Sequence, residues 1–172
     1  MPVSSQVADA LNAQLGRELE AHLQYLEISS YFSAEALPEL TRFFARQAAE
    51  EHQHAMKFLG YLQDVDAHVS IPALAAPRDR FESAEEAVAL SLEWEEDVTR
   101  YIGELVETAR AAGDHATFSF LQWFVDEQVE EVSTMSDLLA IVRRAGEPGL
   151  LDVETMLARG SIGDGAGAGP GE

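Results

Sequence analysis

Residues 66–82, DAHVSIPALAAPRDRFE, decide the topology of this chain. On either side of them apolar residues recur at steps of three and four, the mark of amphipathic helices. Upstream, a first segment from about Ser4 to Ser33 carries Val7, Leu11, Leu15, His22 and Leu26 on one stripe. A second starts near Pro38, a residue suited to a first helical turn, and runs to about Val65. Its stripe is Leu40, Phe44, Gln47, Glu51, His54, Phe58 and Leu62. Downstream, a third segment opens on the capping-box pattern Ser83-Ala84-Glu85-Glu86 and ends at Gly113, with Val88, Leu92, Glu95, Val98, Ile102 and Leu105 as its seam. A fourth, Asp114 to about Ala145, sets Phe118, Leu121, Val125, Gln128, Val132, Met135 and Leu139 inside. Helices of roughly 30 residues are about 45 Å long. Tight turns join the first to the second and the third to the fourth, so each pair runs antiparallel. Extended, residues 66–82 span roughly 55 Å, enough to run the length of such a bundle. A loop this long is uncommon without that task. The expectation is an all-α four-helix bundle with one long crossover, its second and third helices parallel.

After Gly149 a short fifth helix is expected over about Leu151 to Arg159, stopped by Gly160. Leu150, Val153, Met156 and Leu157 give it more apolar surface than a lone solvent helix carries, so it is expected to pack on a neighbouring subunit. Residues 1–159 then form one domain, and the Gly/Ala-rich stretch 160–172 is expected to be a disordered tail.

A chain of 172 residues, 47% of them hydrophobic, suits one domain with a substantial core. No run of 18 apolar residues and no basic, apolar leader is present, which points to a cytoplasmic protein without a membrane span. The absence of cysteine excludes disulfides, zinc ribbons, iron–sulfur clusters and thiol catalysis. Any metal must be held by oxygen and imidazole. The net charge is −20, from 31 acidic against 11 basic residues, and Lys57 is the sole lysine. That leaves no basic patch for nucleic acid. The acid excess serves solubility or provides a field that concentrates cations; composition does not choose between these.

Glu18, Glu51, Glu95 and Glu131 each fall near the midpoint of one of the four long segments, on the stripe that faces the core. A midpoint stays a midpoint whichever way a helix runs, so the four carboxylates converge in one layer. Burying a carboxylate is expensive unless a cation accompanies it. Glu51 and His54 are three apart and share a face, and carboxylates with one imidazole suit iron. Gln128, three before Glu131, adds a neutral oxygen. Tyr25, seven after Glu18, lies along the same face within reach of the ligands. A lone Glu-x-x-His on an acidic helix is most often a solvated face. Four coincident seams at one height argue for a metal site instead. His68 and His115 are expected at the surface.

Glu18 with Tyr25, the run Glu50-Glu51-His52-Gln53-His54, Glu95, and the run Phe120 to Glu131 resemble the bacterial non-haem ferritins, over essentially Ser4 to Arg159. The resemblance implies the ferritin-like fold, ferroxidase activity on Fe(II) with O2 or H2O2, a 24-subunit shell of identical chains, and a ferric mineral inside it. It implies that Glu18, Glu51 and His54 hold a first iron, and that Glu51, Glu95 and Glu131 hold a second, with Glu51 bridging and Gln128 nearby. Glu50, Glu127 and Glu130, sharing Glu131, would form an accessory third position. Where bacterioferritins and di-iron oxygenases carry a second Glu-x-x-His, this chain has Gln128-Val129-Glu130-Glu131. That difference favours releasing oxidised iron over keeping it as a fixed cofactor. Bacterioferritins bind haem through a methionine just after the bridging glutamate, a position held here by His52. Stoichiometric haem is therefore not expected, and a haem-binding bacterioferritin is the alternative reading. Phe118 and Leu121 stand where animal ferritins carry acidic channel residues, so the route of iron into a shell stays open.

Overall fold

The computed structural model describes residues 3–160 and residue 162. Among them are five α-helices and no strand: α1 (Ser5–Ala34), α2 (Pro38–Asp64), α3 (Ala84–Ala111), α4 (His115–Ala145) and α5 (Leu150–Ala158), with a single 3-10 turn at Glu147–Gly149 before α5. The helix starts follow local chemistry. Ser4 Oγ accepts from Val7 N, Ser83 Oγ from Glu86 N, and Asp114 Oδ1 from Thr117 N, each satisfying a donor that has no partner inside its own helix. The expected capping box is half made. Glu86 reaches back to Glu82 N and Arg78 rather than to Ser83 N.

The ends of α1, α2 and α3 share one device. A residue with positive φ (Ala36, Asp66 and Gly113) follows each helix. The next backbone N–H then reaches back five residues: Leu37 to Phe32, Ala67 to Leu62, Asp114 to Ala109. This is the Schellman closure, and it turns the chain sharply enough that α1 packs on α2 and α3 on α4. An α1–α3 face joins the two hairpins.

Residues 66–82 climb back along α1. Asn12 Nδ2 donates to His68 O at 2.9 Å and its Oδ1 accepts from Ser70 N at 2.7 Å. Glu20 Oε1 accepts from Ala75 N, and Gln24 both donates to and accepts from the Arg78 backbone. Between them Gly16 lies against Pro72, whose Cδ would stand 3.0 Å from a Cβ at position 16 and whose Cγ would be closer still. Positions 12, 16, 20 and 24 are four apart, so they form one stripe of α1. That stripe carries the crossover, and α2 and α3 run parallel as a result.

Two apolar clusters fill the bundle. One contains Tyr25, Ile28, Phe32, Leu40, Phe44, Val88, Met135 and Leu139. The other contains Val7, Leu11, Leu15, Phe58, Leu62, Ile102, Leu121 and Phe124. Two residues expected on the seams point outward: Leu26 is 44% exposed and Val125 is 37% exposed, while His22 is only half-buried. The seam runs instead through Tyr25 and Phe124, because one residue step rotates a helix by about 100°.

The fifth helix docks on its own bundle against α2 and α4, burying Leu150 and Val153 in the first cluster, and leaves Leu151 and Met156 exposed. Its buried Glu154 accepts from Glu39 N (2.8 Å) and Leu40 N (2.9 Å). Those are first-turn donors of α2, whose own N-cap, Leu37, has no side-chain acceptor. Ile162 is buried against the same cluster; the rest of the expected tail beyond Gly160 lies outside the described residues.

Candidate metal centre

A polar layer separates the two apolar clusters. Glu18 on α1, Glu51 and His54 on α2, Glu95 on α3, and Gln128 and Glu131 on α4 are all buried. One donor atom from each of Glu18, Glu51 and His54 lies within 4.8 Å of the others, and the same holds for His54, Glu127 and Glu131. Glu95 belongs to neither trio. It accepts from the Tyr25 hydroxyl and, at 3.1 Å, from Gln128 Nε2. Gln128 thus presents its amide nitrogen to Glu95 and also donates to Thr99 Oγ1. Of the other acids, Glu50 is half-buried and accepts from Gln47, Glu127 turns towards His54, and exposed Glu130 joins neither trio.

The electrostatics follow from burial. His54 Nδ1 stands 3.2 Å from Glu51 Oε2 and 4.0 Å from Glu18 Oε2. Burial, aided by Lys57, pushes the imidazole down to about 4, so these contacts involve a neutral ring and are not ion pairs. Burial first, then repulsion by Glu95, Glu18 and Glu131, holds Glu51 well above the usual carboxylate range. Burial and then Glu95 lift Glu131 to about 9. Glu18 is lifted to about 7 by burial, against the stabilising hydrogen bond from Gln14. Glu95 is raised by burial and held down by Tyr25 and Gln128. Tyr25, fully buried beside Glu95, is pushed well above its ordinary value and stays a donor.

Glu18 Oε2, Glu51 Oε1 and Glu131 Oε1 are buried without any hydrogen-bond partner. Such oxygens are rare in a folded protein because each keeps its full desolvation penalty. A divalent cation bound here would satisfy them and displace the protons that the raised carboxyl groups hold. The donor set is oxygen with one imidazole, which fits hard or borderline metals such as iron.

Three residues that support the layer have weak sequence signals. Gln14, fully buried, donates to Glu18 Oε1 at 2.8 Å; its only signal is a place four before Glu18 on the same face. Trp123 and Phe124 meet the His54 ring edge-on, with centroids 5.4 and 5.9 Å away, and fix its plane.

Residues 8–145 match the family described as Ferritin-like domain. A Mycobacterium tuberculosis protein named Ferritin BfrB, and also Bacterioferritin BfrB, is 40% identical over 149 residues, 87% of this chain and 82% of the relative. A bacterial non-heme ferritin of Staphylococcus aureus is 38% identical over 145 residues, 84% of this chain and 87% of its own. Among solved structures, an open pore ferritin from the hyperthermophilic archaeon Archaeoglobus fulgidus superposes with a TM-score of 0.88 at 34% identity, covering 91% of this chain and 96% of that one.

Proposed function

This chain belongs to the ferritin-like domain family, and from that premise we propose that it is an iron-storage protein with ferroxidase activity. The observation that carries the proposal is the buried Glu18–Glu51–His54 trio, with unpartnered oxygens on Glu18 and Glu51. Fe(II) is the substrate. Glu18, Glu51 and His54 hold one ion; Glu51, Glu95 and Glu131 hold the other, with Glu51 shared. Glu95 lies outside both trios, so it takes up the second ion by turning from its bond with Gln128. Tyr25 keeps hold of the other side of that carboxyl group.

Each Fe(II) gives up one electron. O2 accepts two electrons and two protons and leaves as H2O2; when H2O2 is the oxidant, it accepts the same and leaves as two waters. Carboxylates stabilise Fe(III) over Fe(II), which favours the electron loss. The protons that the raised carboxyl groups release on binding iron are available to the reduced oxidant.

Glu127 stands beside His54 and Glu131 and, together with Glu50 and Glu130, forms an acidic path by which oxidised iron leaves for the mineral. In our reading the chain assembles with identical copies into the 24-subunit shell that membership of the ferritin-like family implies. No helix among the described residues is long and apolar enough to cross a membrane, and we assign the assembly to the cytoplasm.

Stopped-flow absorbance after mixing the assembled apo-protein with aerobic Fe(II) tests the reading. Glu51→Ala and His54→Ala are each expected to lose the fast phase while eluting at the parent's size; an unchanged rate in either refutes the two-ion assignment. Haem reconstitution separates the alternative. No Soret band is expected, and one at half a haem per chain would favour the haem-binding form.

A further inference from the structure

Outside the carboxylate layer, His22 of α1 and His52 of α2 face each other with ring centroids 5.5 Å apart and planes tilted by 56°. Neither belongs to the Glu18 or the Glu131 trio. His22 Nδ1 lies 2.6 Å from the Ala48 carbonyl oxygen. A carbonyl can only accept, so Nδ1 is the donor here and Nε2 takes no part in this bond. That arrangement, one ring nitrogen donating to a backbone carbonyl and the other free, is the usual state of a histidine that ligates a metal. Ala48 is also four residues before His52, so its carbonyl belongs to the helical turn that presents His52. One turn of α2 thus both holds the His22 ring and carries His52.

The spacing fits a shared ion. With metal–nitrogen bonds of about 2.0–2.1 Å and a tetrahedral angle, two ligating imidazoles have their ring centres about 5.3 Å apart. We infer that His22 and His52 form a second metal site, bridging α1 and α2, for a divalent cation of borderline softness such as Cu(II) or Zn(II). Water completes the shell. Two imidazoles without a carboxylate in the cluster select Cu(II) and Zn(II) over Mg(II) and Ca(II), and place Fe(II) well below Cu(II). In the single chain His52 is exposed and His22 half-buried, and a net charge of −20 draws cations towards the protein. The pair does not depend on the ferroxidase reading and survives if that reading fails.

Cu(II) titration of the metal-free assembled protein, followed by electron paramagnetic resonance, is the test. The parent is expected to bind one Cu(II) per chain more than His22→Gln or His52→Gln, with hyperfine structure from two nitrogens that is lost in both variants. Apparent affinity for that ion should fall at least tenfold. Exposed His52 makes its variant the safeguard against a folding defect in His22→Gln. Fe(II) oxidation by either variant in copper-free buffer should match the parent, since neither ring touches the carboxylate layer. Equal Cu(II) stoichiometry in parent and variants, or a signal from a single nitrogen, would overturn the inference.

Discussion

Replacing Glu154 with alanine is expected to destabilise the chain well beyond the loss of a surface charge. In the folded state its carboxylate accepts from Glu39 N and Leu40 N. Removing a side-chain cap of this kind typically costs about 1 kcal/mol, within a range of about 0.5–2. Water can replace the acceptor at half-buried Glu39, but Leu40 is fully buried. Stranding that N–H adds a desolvation cost of about 1–3 kcal/mol. The two figures overlap in part, which leaves a net loss of about 2–3 kcal/mol. Glu154→Gln keeps one oxygen acceptor for the buried Leu40 N and gives up the bond to Glu39 N, which water replaces, together with the charge at the helix N-terminus, about 0.3–1 kcal/mol. For a domain of this size each kcal/mol moves Tm by about 2–4 °C. Glu154→Ala should therefore melt about 4–12 °C lower and Glu154→Gln no more than about 4 °C lower. Scanning calorimetry and urea unfolding of the metal-free protein, at one fixed protein concentration because assembly couples to stability, provide the measurement. If alanine and glutamine variants both fall within about 0.5 kcal/mol of the parent, α5 holds the bundle by apolar contact alone and the capping argument fails.

The carboxylate layer makes the metal-free protein sensitive to alkali. Glu18 and Glu131 rise from 4.5 to about 7 and about 9 on folding, so the folded state binds more protons than the unfolded one. The stability this contributes is complete below about 4.5 and is lost as pH climbs through 7 to 9. His54, lowered from 6.5 to about 4, acts in the opposite sense but only between those two values. Tm of the metal-free protein should accordingly fall from pH 7 to pH 9, and redox-inert Zn(II) should flatten that slope; a rising Tm without metal contradicts the assignment. Gly16→Ala should destabilise despite a helix-propensity gain of about 1 kcal/mol. Its new Cβ presses on the Pro72 ring, and such overpacking costs about 1–3 kcal/mol. Urea midpoints decide this, and a stabilised variant would mean that the crossover does not lie tightly on α1.

The periodicity of residues 38–62 and 84–109 was enough to place the α2 and α3 seams, because a buried stripe repeats with the helix and each residue reports its own face. Equal helix lengths and a crossover long enough to span them placed Glu18, Glu51, Glu95 and Glu131 at one height. These are local signals, and they add along the chain. On α1 and α4 the steps drifted to Leu26 and Val125, one residue beyond the seam at Tyr25 and Phe124. Single apolar residues are common on surfaces, so hydrophobicity alone cannot fix a register to within 100°.

Contacts between elements distant in sequence were settled only by tertiary packing. Asn12, Gly16, Glu20 and Gln24 read as an ordinary polar face of α1 until the crossover is laid on them. Glu154 looks like one more surface acid until α5 folds back to the start of α2. The same limit applies within the layer. Spacing puts Gln128 near the centre and the family resemblance sets Glu127 beside it, but only side-chain rotation about a finished backbone turns the Gln128 amide to Glu95 and brings Glu127 to His54. The sequence determined which residues share a helix face and a height. Which atoms meet was decided when four seams closed around one polar layer, since a rotamer is chosen by neighbours that the chain brings together only on folding.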